Sequence, residues 1–499
     1  MSCVVAAAAA DVAENPRASE ALKEFGAIRP RDAEVRAHQV LEKHGLTCPI
    51  QIDRVDLGEA KRYKRFPYMK FSTWVKYLLD TDRLPRQLCA CDSLQSMEVK
   101  LEEFWKRYEA IQPTHKIFQM KESGEVDLRY VIPVYSHTDE GRSYKKAALW
   151  LLSTHGALGR GTRGFLKRGK DKLPLKRNGF GLNFCGHTWS TNFMFSCMLR
   201  KFFKKKPQVL DDLISVYARD MEDLLINGVW NAAGTVHVRC CHIGTKGDLP
   251  ALAKMGNMLH TFGNVPKAAH SRKPCEGVCW MCCAGQEQNA ARGLNPVPYE
   301  DTSGKPIWEG TLGQQQSWEE TPPLLQGVPL DECDHYTFFK TDVWHNFHLG
   351  LAKHWVASSL VSLLEHLPLP YGSMDEKVEW LGQEYRNFYK SKRISPHCEE
   401  LGRETLGWYQ SSTCPVGTWN KGSASTHYML FLEYLCKTWS NEIRGEPLLE
   451  AIDTRMILYG FGIGFPISFP GTPMVFDVLM CAINPFWEPA KCVYKFFGV

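Results

Sequence analysis

The sequence predicts a mixed α+β chain, with a strand-rich centre that carries a cysteine-rich insertion and is flanked by helical regions. Three observations carry this reading. Near the start, "KFSTWVKYLL" and "SLQSMEVKLEEFWKRYEAI" space their apolar residues by three and four, as amphipathic helices do. From Asp127 the character changes: "DLRYVIPVYSH" and "GTVHVRCCHIG" run β-branched and aromatic residues together, as buried strands do. Residues 366–455 then return to helical spacing, interrupted by "STCPVGTWNKGSAST".

Taken in order, residues 1–20 read as a disordered start. The opening "MSCVVAAAAADVAENP" has no basic segment before its alanines and meets Asp11 directly, which argues against a signal peptide and against a transit peptide. Residues 21–125 form a helical region, with Ser93 a cap candidate. A core follows over 126–365. In it "KKAALWLLSTHG" is a second strand or a short helix, and "PQVLDDLISVYARDMEDLLINGVW" is a helix between Pro207 and Gly228. At about 255–335 the chain becomes loop-rich and cysteine-rich. A helical region spans 366–455, and an apolar tail rich in Pro and Gly spans 456–499. The uncharged run from Met456 to Phe476 is long enough to cross a bilayer, but Pro466, Pro470 and Pro473 make a regular spanning helix costly. No membrane association is expected.

The chain has 499 residues, 44% of them hydrophobic and 12% aromatic, which supports a well-buried core and excludes global disorder. A net charge of +5 is too even to announce nucleic acid, so that argument rests on clustering. The 18 cysteines, with no secretory signal ahead of them, point to a reducing compartment and to thiols or metal ligands rather than disulfides.

Two strands run straight into acids. "VIPVYSHTDEGR" leads to His137, Asp139 and Glu140, and "VHVRCCHIGTKGD" to Asp248; a third acid, Asp342, opens the helix in "KTDVWHNFHLGLAKHW". The order is strand, strand, basic loop, helix, strand, then a late acid. That is the order of a ribonuclease-H-like core, where one acid sits on the first strand, one just after the fourth, and one on a helix behind the sheet. Three such carboxylates can hold two divalent cations, magnesium or manganese, for phosphoryl transfer. Simpler uses compete: turn chemistry for Asp139 and Asp248, and helix capping for Asp342. His345 shares a helix stripe with Asp342 and can support it; His348 and His354 read as core histidines. No G-x-S-x-G elbow or local Cys–His signature supports a serine or cysteine hydrolase.

In "HSRKPCEGVCWMCC", Cys275, Cys279, Cys282 and Cys283 have a C-x3-C-x2-C spacing with His270 upstream, which suits a structural zinc. The fourth ligand stays open among His270, Cys283 and a remote residue such as Cys333. From Arg160 to Arg177 a glycine-punctuated loop holds Arg160, Arg163, Lys167, Arg168, Lys170, Lys172, Lys176 and Arg177 against one acid, Asp171. With Phe165 and Phe180 beside it to stack on bases and "RKFFKKK" at 200–206, it is the expected phosphate-binding, nucleic-acid-binding surface. The competing uses are a solvated loop and a nuclear-import signal.

The segments "HTDEGRSYKK", "KGDLPALAKMGNM" before "CEGVCWMC", "DVWHNFHLG" and "GTWNKGSASTHYMLFLE" occur in an order that resembles CACTA-type transposases across residues 125–435. The resemblance implies a metal-dependent phosphoryl transferase acting on DNA, or an inactive descendant of one. It implies Asp139 and Asp248 as the first two catalytic acids, and Cys279 and Cys282 as zinc ligands. Asp342 and His345 match the later segment. Such enzymes commonly end on a glutamate, so Glu433 in "YMLFLEYL" rivals Asp342. Trp419 to Gly422 and Thr426 match a segment of unassigned role. A DNA substrate implies a nuclear location, with a cytoplasmic one as the alternative. The competing function is a zinc-stabilised nucleic-acid-binding or scaffold protein without chemistry. Oligomeric state is not readable.

Overall fold

The computed structural model describes residues 2–444, apart from 16, 48–49, 61–62, 143–147, 160–190, 266–275, 288–294, 302, 343–344, 397, 399 and 410–413. The chain divides into two compact units, Met1–Asp53 and Arg54–Val499. In the first, helix α1 (Ser2–Glu14) packs with α2 (Glu20–Gly26) and α3 (Ala33–Lys43). Val5 and Ala8 lie buried with Phe25, Ala33 and Ala37. The disordered start expected for residues 1–20 is therefore corrected. Its alanine run has the highest helix propensity of any residue and has a surface to pack on.

The second unit opens with a two-stranded ribbon, β1 (Asp53–Val55) and β2 (Phe66–Tyr68). Helices α4 (Phe71–Asp80), α5 (Leu84–Leu88), α6 (Leu94–Ile111) and α7 (Lys116–Glu122) follow. Ser93 caps α6 as expected. These helices do not form a region of their own. Phe71, Leu84, Trp105 and Phe118 share one core with Val131, Trp150 and Val238 of the sheet and Tyr217 of a helix against it, so the boundary expected near residue 125 does not separate two cores. Short amphipathic helices need a sheet face to bury against.

A mixed sheet organises this core. Its strands are β3 (Val131–Arg142), β4 (Ala148–Gly156), β5 (Phe193–Leu199), β6 (Val229–Trp230), β7 (His237–Gly247) and β8 (Phe339–Thr341). The spatial order is β5-β4-β3-β7, with β6 and β8 both on the outer edge of β7. Strands β3, β4 and β5 pair antiparallel, whereas β7 runs parallel to β3, and β8 parallel to β7. Between β5 and β7 come the short α8 (Arg200–Phe203) and the long α9 (Gln208–Ile226). Helix α9 lies across one sheet face, where the Tyr217 hydroxyl meets Thr154 Oγ1 at 2.8 Å. Its Asp220 reaches the start of α4, accepting from the Phe71 and Ser72 N–H groups at 2.6 and 3.2 Å and from the Ser72 hydroxyl.

After β7 come α10 (Leu249–Met255), the loop-rich segment, β8, and a seven-residue π-helix at His345–Leu351. Helix α11 (Ala352–His366) continues from it, followed by α12 (Met374–Lys392), α13 (Arg403–Leu406), α14 (Gly422–Thr438) and α15 (Ser440–Ile443). They build a second core around Leu360, Leu381, Tyr385 and Phe431. Among the described residues no helix is long and apolar enough to cross a membrane. The apolar tail at 456–499 lies outside the described residues.

Candidate functional site

Three neighbouring parallel strands each deliver a carboxylate at the same end of the sheet. Thr138 pairs with Gly247 across β3 and β7, so Asp139 and Asp248 follow on adjacent strands. Gly247 pairs with Thr341 across β7 and β8, and the Asp342 N–H donates to the Gly247 carbonyl at 2.9 Å. The carboxyl ends of parallel strands are where open sheets place ligands.

Strand alternation decides which neighbours face these acids. Tyr135, His137 and Asp139 share one face of β3; Lys246 and Asp248 share it on β7, and Lys340 and Asp342 continue it from β8. Glu140 falls on the opposite face, where it ion-pairs with Lys254 of α10 and Arg200 of α8. It is thereby removed from the acid group that its sequence position suggests.

Burial pushes the Asp248 carboxyl above the usual carboxylate range, and the charge of Asp139 adds to the effect. Asp248 Oδ1 also caps α10, accepting from the Ala251 N–H at 2.7 Å. The turn reading and the acid-cluster reading of this residue therefore describe one geometry. Asp342 Oδ2 meets His345 Nδ1 at 2.7 Å. That hydrogen bond, with the charges of Asp342, Asp139 and Asp248, holds the His345 imidazolium above its ordinary range. Burial pulls His137 down, and takes Lys246 and Lys340 down to about 8 each.

The group fits divalent cations in donor chemistry: hard oxygens, mutual repulsion, and no fully buried member. As positioned, no three of the described His, Cys, Asp or Glu side chains close on one point at metal-ligand distance. Asp248 and Asp342 are instead turned toward Ala251 and His345. Glu433 pairs instead with Lys437 on its own helix.

Of the thiols, Cys279 and Cys282 stand within hydrogen-bonding reach of each other. Cys279 Sγ accepts from the Met281 N–H at 3.4 Å and from Cys282, which favours its thiolate; Cys282 is pushed up by the same contact and by burial. Backbone N–H groups gathered on one sulfur are suited to a metal-bound thiolate. Cys283 turns instead toward Thr311, and Cys333 is exposed. Cys275 and His270 lie outside the described residues, as do Arg160, Arg163, Lys167, Arg168, Lys170, Lys172, Lys176 and Arg177. Among the described residues no two cysteines form a disulfide.

Sequence reasoning assigned no strand to "FMFSCML" or to "FKT", and so missed Lys340. It also left the Trp419 segment without a role. In the structure Trp419 Nε1 donates to Ser425 Oγ at 2.7 Å, and Ser425 donates in turn to the His348 carbonyl inside the π-helix. A π-helix leaves carbonyls off the usual ladder, and such turns recur at functional sites. Here the "GTWNKGSAST" segment braces the turn that carries His345.

No family model matches this chain, and no curated protein matches it significantly in sequence.

Proposed function

We propose that the chain is a ribonuclease-H-like, CACTA-transposase-like protein that performs divalent-metal-dependent phosphoryl transfer on DNA. The observation that carries this reading is the convergence of Asp139, Asp248 and Asp342 on the ends of three adjacent parallel strands, from positions far apart in the chain. Setting aside the two-residue β6, the first strand of the main sheet bears one acid, and the fourth ends at the second. The third precedes a helix. This matches the order expected of a ribonuclease-H-like core, with α9 covering one face.

Bound at the three acids, magnesium or manganese would activate a water or 3′-hydroxyl and stabilise the leaving oxygen. The chain's own residues do the rest. Asp139 and Asp248 supply oxygen donors from rigid strands. His345 orients Asp342, and the Ser425 brace holds the turn beneath it. Cys279 and Cys282 would hold a structural zinc in the loop-rich insertion, whose cluster around Val265 and Val278 is small. A DNA substrate favours a nuclear location over a cytoplasmic one.

One observation favours the non-catalytic alternative, a zinc-stabilised nucleic-acid-binding or scaffold protein: Asp248 caps α10, and Asp342 is engaged by His345. Nicking of supercoiled plasmid in manganese or magnesium separates the two. Metal-dependent nicking that Asp139→Asn and Asp248→Asn both abolish supports phosphoryl transfer. Duplex binding with neither nicking nor any metal-induced thermal shift leaves the non-catalytic protein. Zinc content measured on purified protein should fall in Cys279→Ser, and an unchanged content would remove the zinc assignment.

A further inference from the structure

The acid group has a cationic counterpart on the same sheet face. Lys246 pairs with Lys340 across β7 and β8, each two residues before one of the acids. Both ammonium groups gather at the Tyr135 ring, with Nζ atoms 4.2 and 5.9 Å from its centroid. Lys340 Nζ donates to the Thr337 carbonyl at 2.9 Å. The charge of Asp342 attracts Lys246, but among the described residues no carboxylate stands at ion-pair distance from either lysine, and no hydrogen bond holds the Lys246 ammonium. His137 and His155 border the pair on β3 and β4.

Two half-buried like charges side by side repel, and a half-dehydrated ammonium without an acceptor costs free energy. A cation–π contact with Tyr135 offsets part of this cost for Lys246, but is weak at the Lys340 distance. An anion lying between them would satisfy both. Three carboxylates next door would repel a polyanion, so a cationic foothold beside them is what a nucleic-acid backbone needs.

We propose that Lys246 and Lys340 together hold a phosphodiester oxygen of bound DNA, next to the phosphate presented to the acids. This rests on the phosphoryl-transfer reading. A compact ammonium on a flexible stem acts on phosphate as a point charge, so the pair supplies binding and position without base specificity.

The test uses full-length protein, a fluorescent mixed-sequence duplex, and calcium in place of a catalytic metal. Lys246→Gln and Lys340→Gln should each weaken binding by about 3–10-fold and lower the magnitude of the salt slope by about 0.9. Lys246→Arg should restore most of both. The manganese-induced thermal shift should persist in all of them, at the wild-type value or above it where a neighbouring positive charge is removed. If wild type shows no such shift, the underlying reading fails. If it does, and the lysine variants bind with unchanged affinity and slope, the phosphate proposal alone is overturned. Inorganic phosphate supplies the other arm. A thermal shift with phosphate that Lys246→Gln removes, while duplex binding is unaltered, would make free phosphate the occupant and also overturn the proposal. Should Lys340→Gln not fold, Lys246→Gln and Lys246→Arg carry the comparison.

Discussion

Replacing Asp248 with Asn separates a metal-binding carboxylate from a helix cap, because Asn keeps the capping oxygen and removes the charge that a cation needs. Asp139 and Asp248 sit on adjacent strands. A strand spacing of about 4.8 Å leaves their carboxylates about 5–6 Å apart, and two full charges at that range repel by about 3 kcal/mol at an effective dielectric constant of about 20. Both side chains touch solvent, and Lys246, Lys254 and His345 lie near, so about 1 kcal/mol is the realistic net repulsion. Asn keeps an oxygen for the Ala251 N–H and caps a helix about as well as Asp. Metal-free Asp248→Asn should therefore be slightly more stable than wild type, by about 1 °C, since an unfolding entropy of about 2.1 cal/mol/K per residue gives about 1 °C per kcal/mol in a unit of this length. Manganese at about 100 times Kd should stabilise wild type by about 2.7 kcal/mol per ion, near 3 °C, and should leave the variant almost unmoved. The raised Asp248 carboxyl adds a pH signature. Because its folded value lies above the ordinary one, metal-free wild type is relatively favoured at low pH and loses that advantage as pH rises through the window just above the ordinary carboxylate value. Asp248→Asn should flatten this window. Differential scanning fluorimetry in chelator and in manganese reads all of it. A variant that keeps the full manganese shift would refute the reasoning and leave Asp248 as a cap, and one that loses more than about 2 °C without metal would show that the charge stabilises the fold rather than straining it.

Three further outcomes follow from the same geometry. His345 should titrate above the usual histidine value, and Asp342→Asn should lower it; the pair's stabilisation is present below the ordinary histidine value and is lost as pH rises through the elevated one, which histidine NMR titration can follow. Gly247→Ala would put a Cβ 2.7 Å from the Thr138 carbonyl oxygen and 2.9 Å from Thr138 Cγ2, forcing β3 and β7 apart beside the acids. It should cost about 1–3 kcal/mol in urea unfolding and weaken manganese binding, and an unchanged metal affinity would show that strand spacing there is not critical. Asp220→Ala removes three hydrogen bonds to the start of α4 and should lower stability by about 2–4 kcal/mol, against less than about 0.5 kcal/mol if that contact is incidental.

Local features were legible in the sequence wherever the physics is local. The β-branched run before His137, the apolar period between Pro207 and Gly228, and the Ser93 cap all appear as read. The residue types of the acid group were also evident, because a charged residue directly after a buried strand stands out. Its membership was not, since it depends on strand pairing between segments about a hundred residues apart, which no local pattern encodes. Parallel pairing of β3, β7 and β8 brings Asp139, Asp248 and Asp342 to one edge; alternation sends Glu140 to the other face; and three-residue β8, too short to show a period, aligns Lys340 with Lys246. The sequence alone determined which chemistry the chain carries, through side-chain type and local periodicity. Only the tertiary structure decided which of those side chains meet, because register between distant strands is set by the burial of the whole sheet.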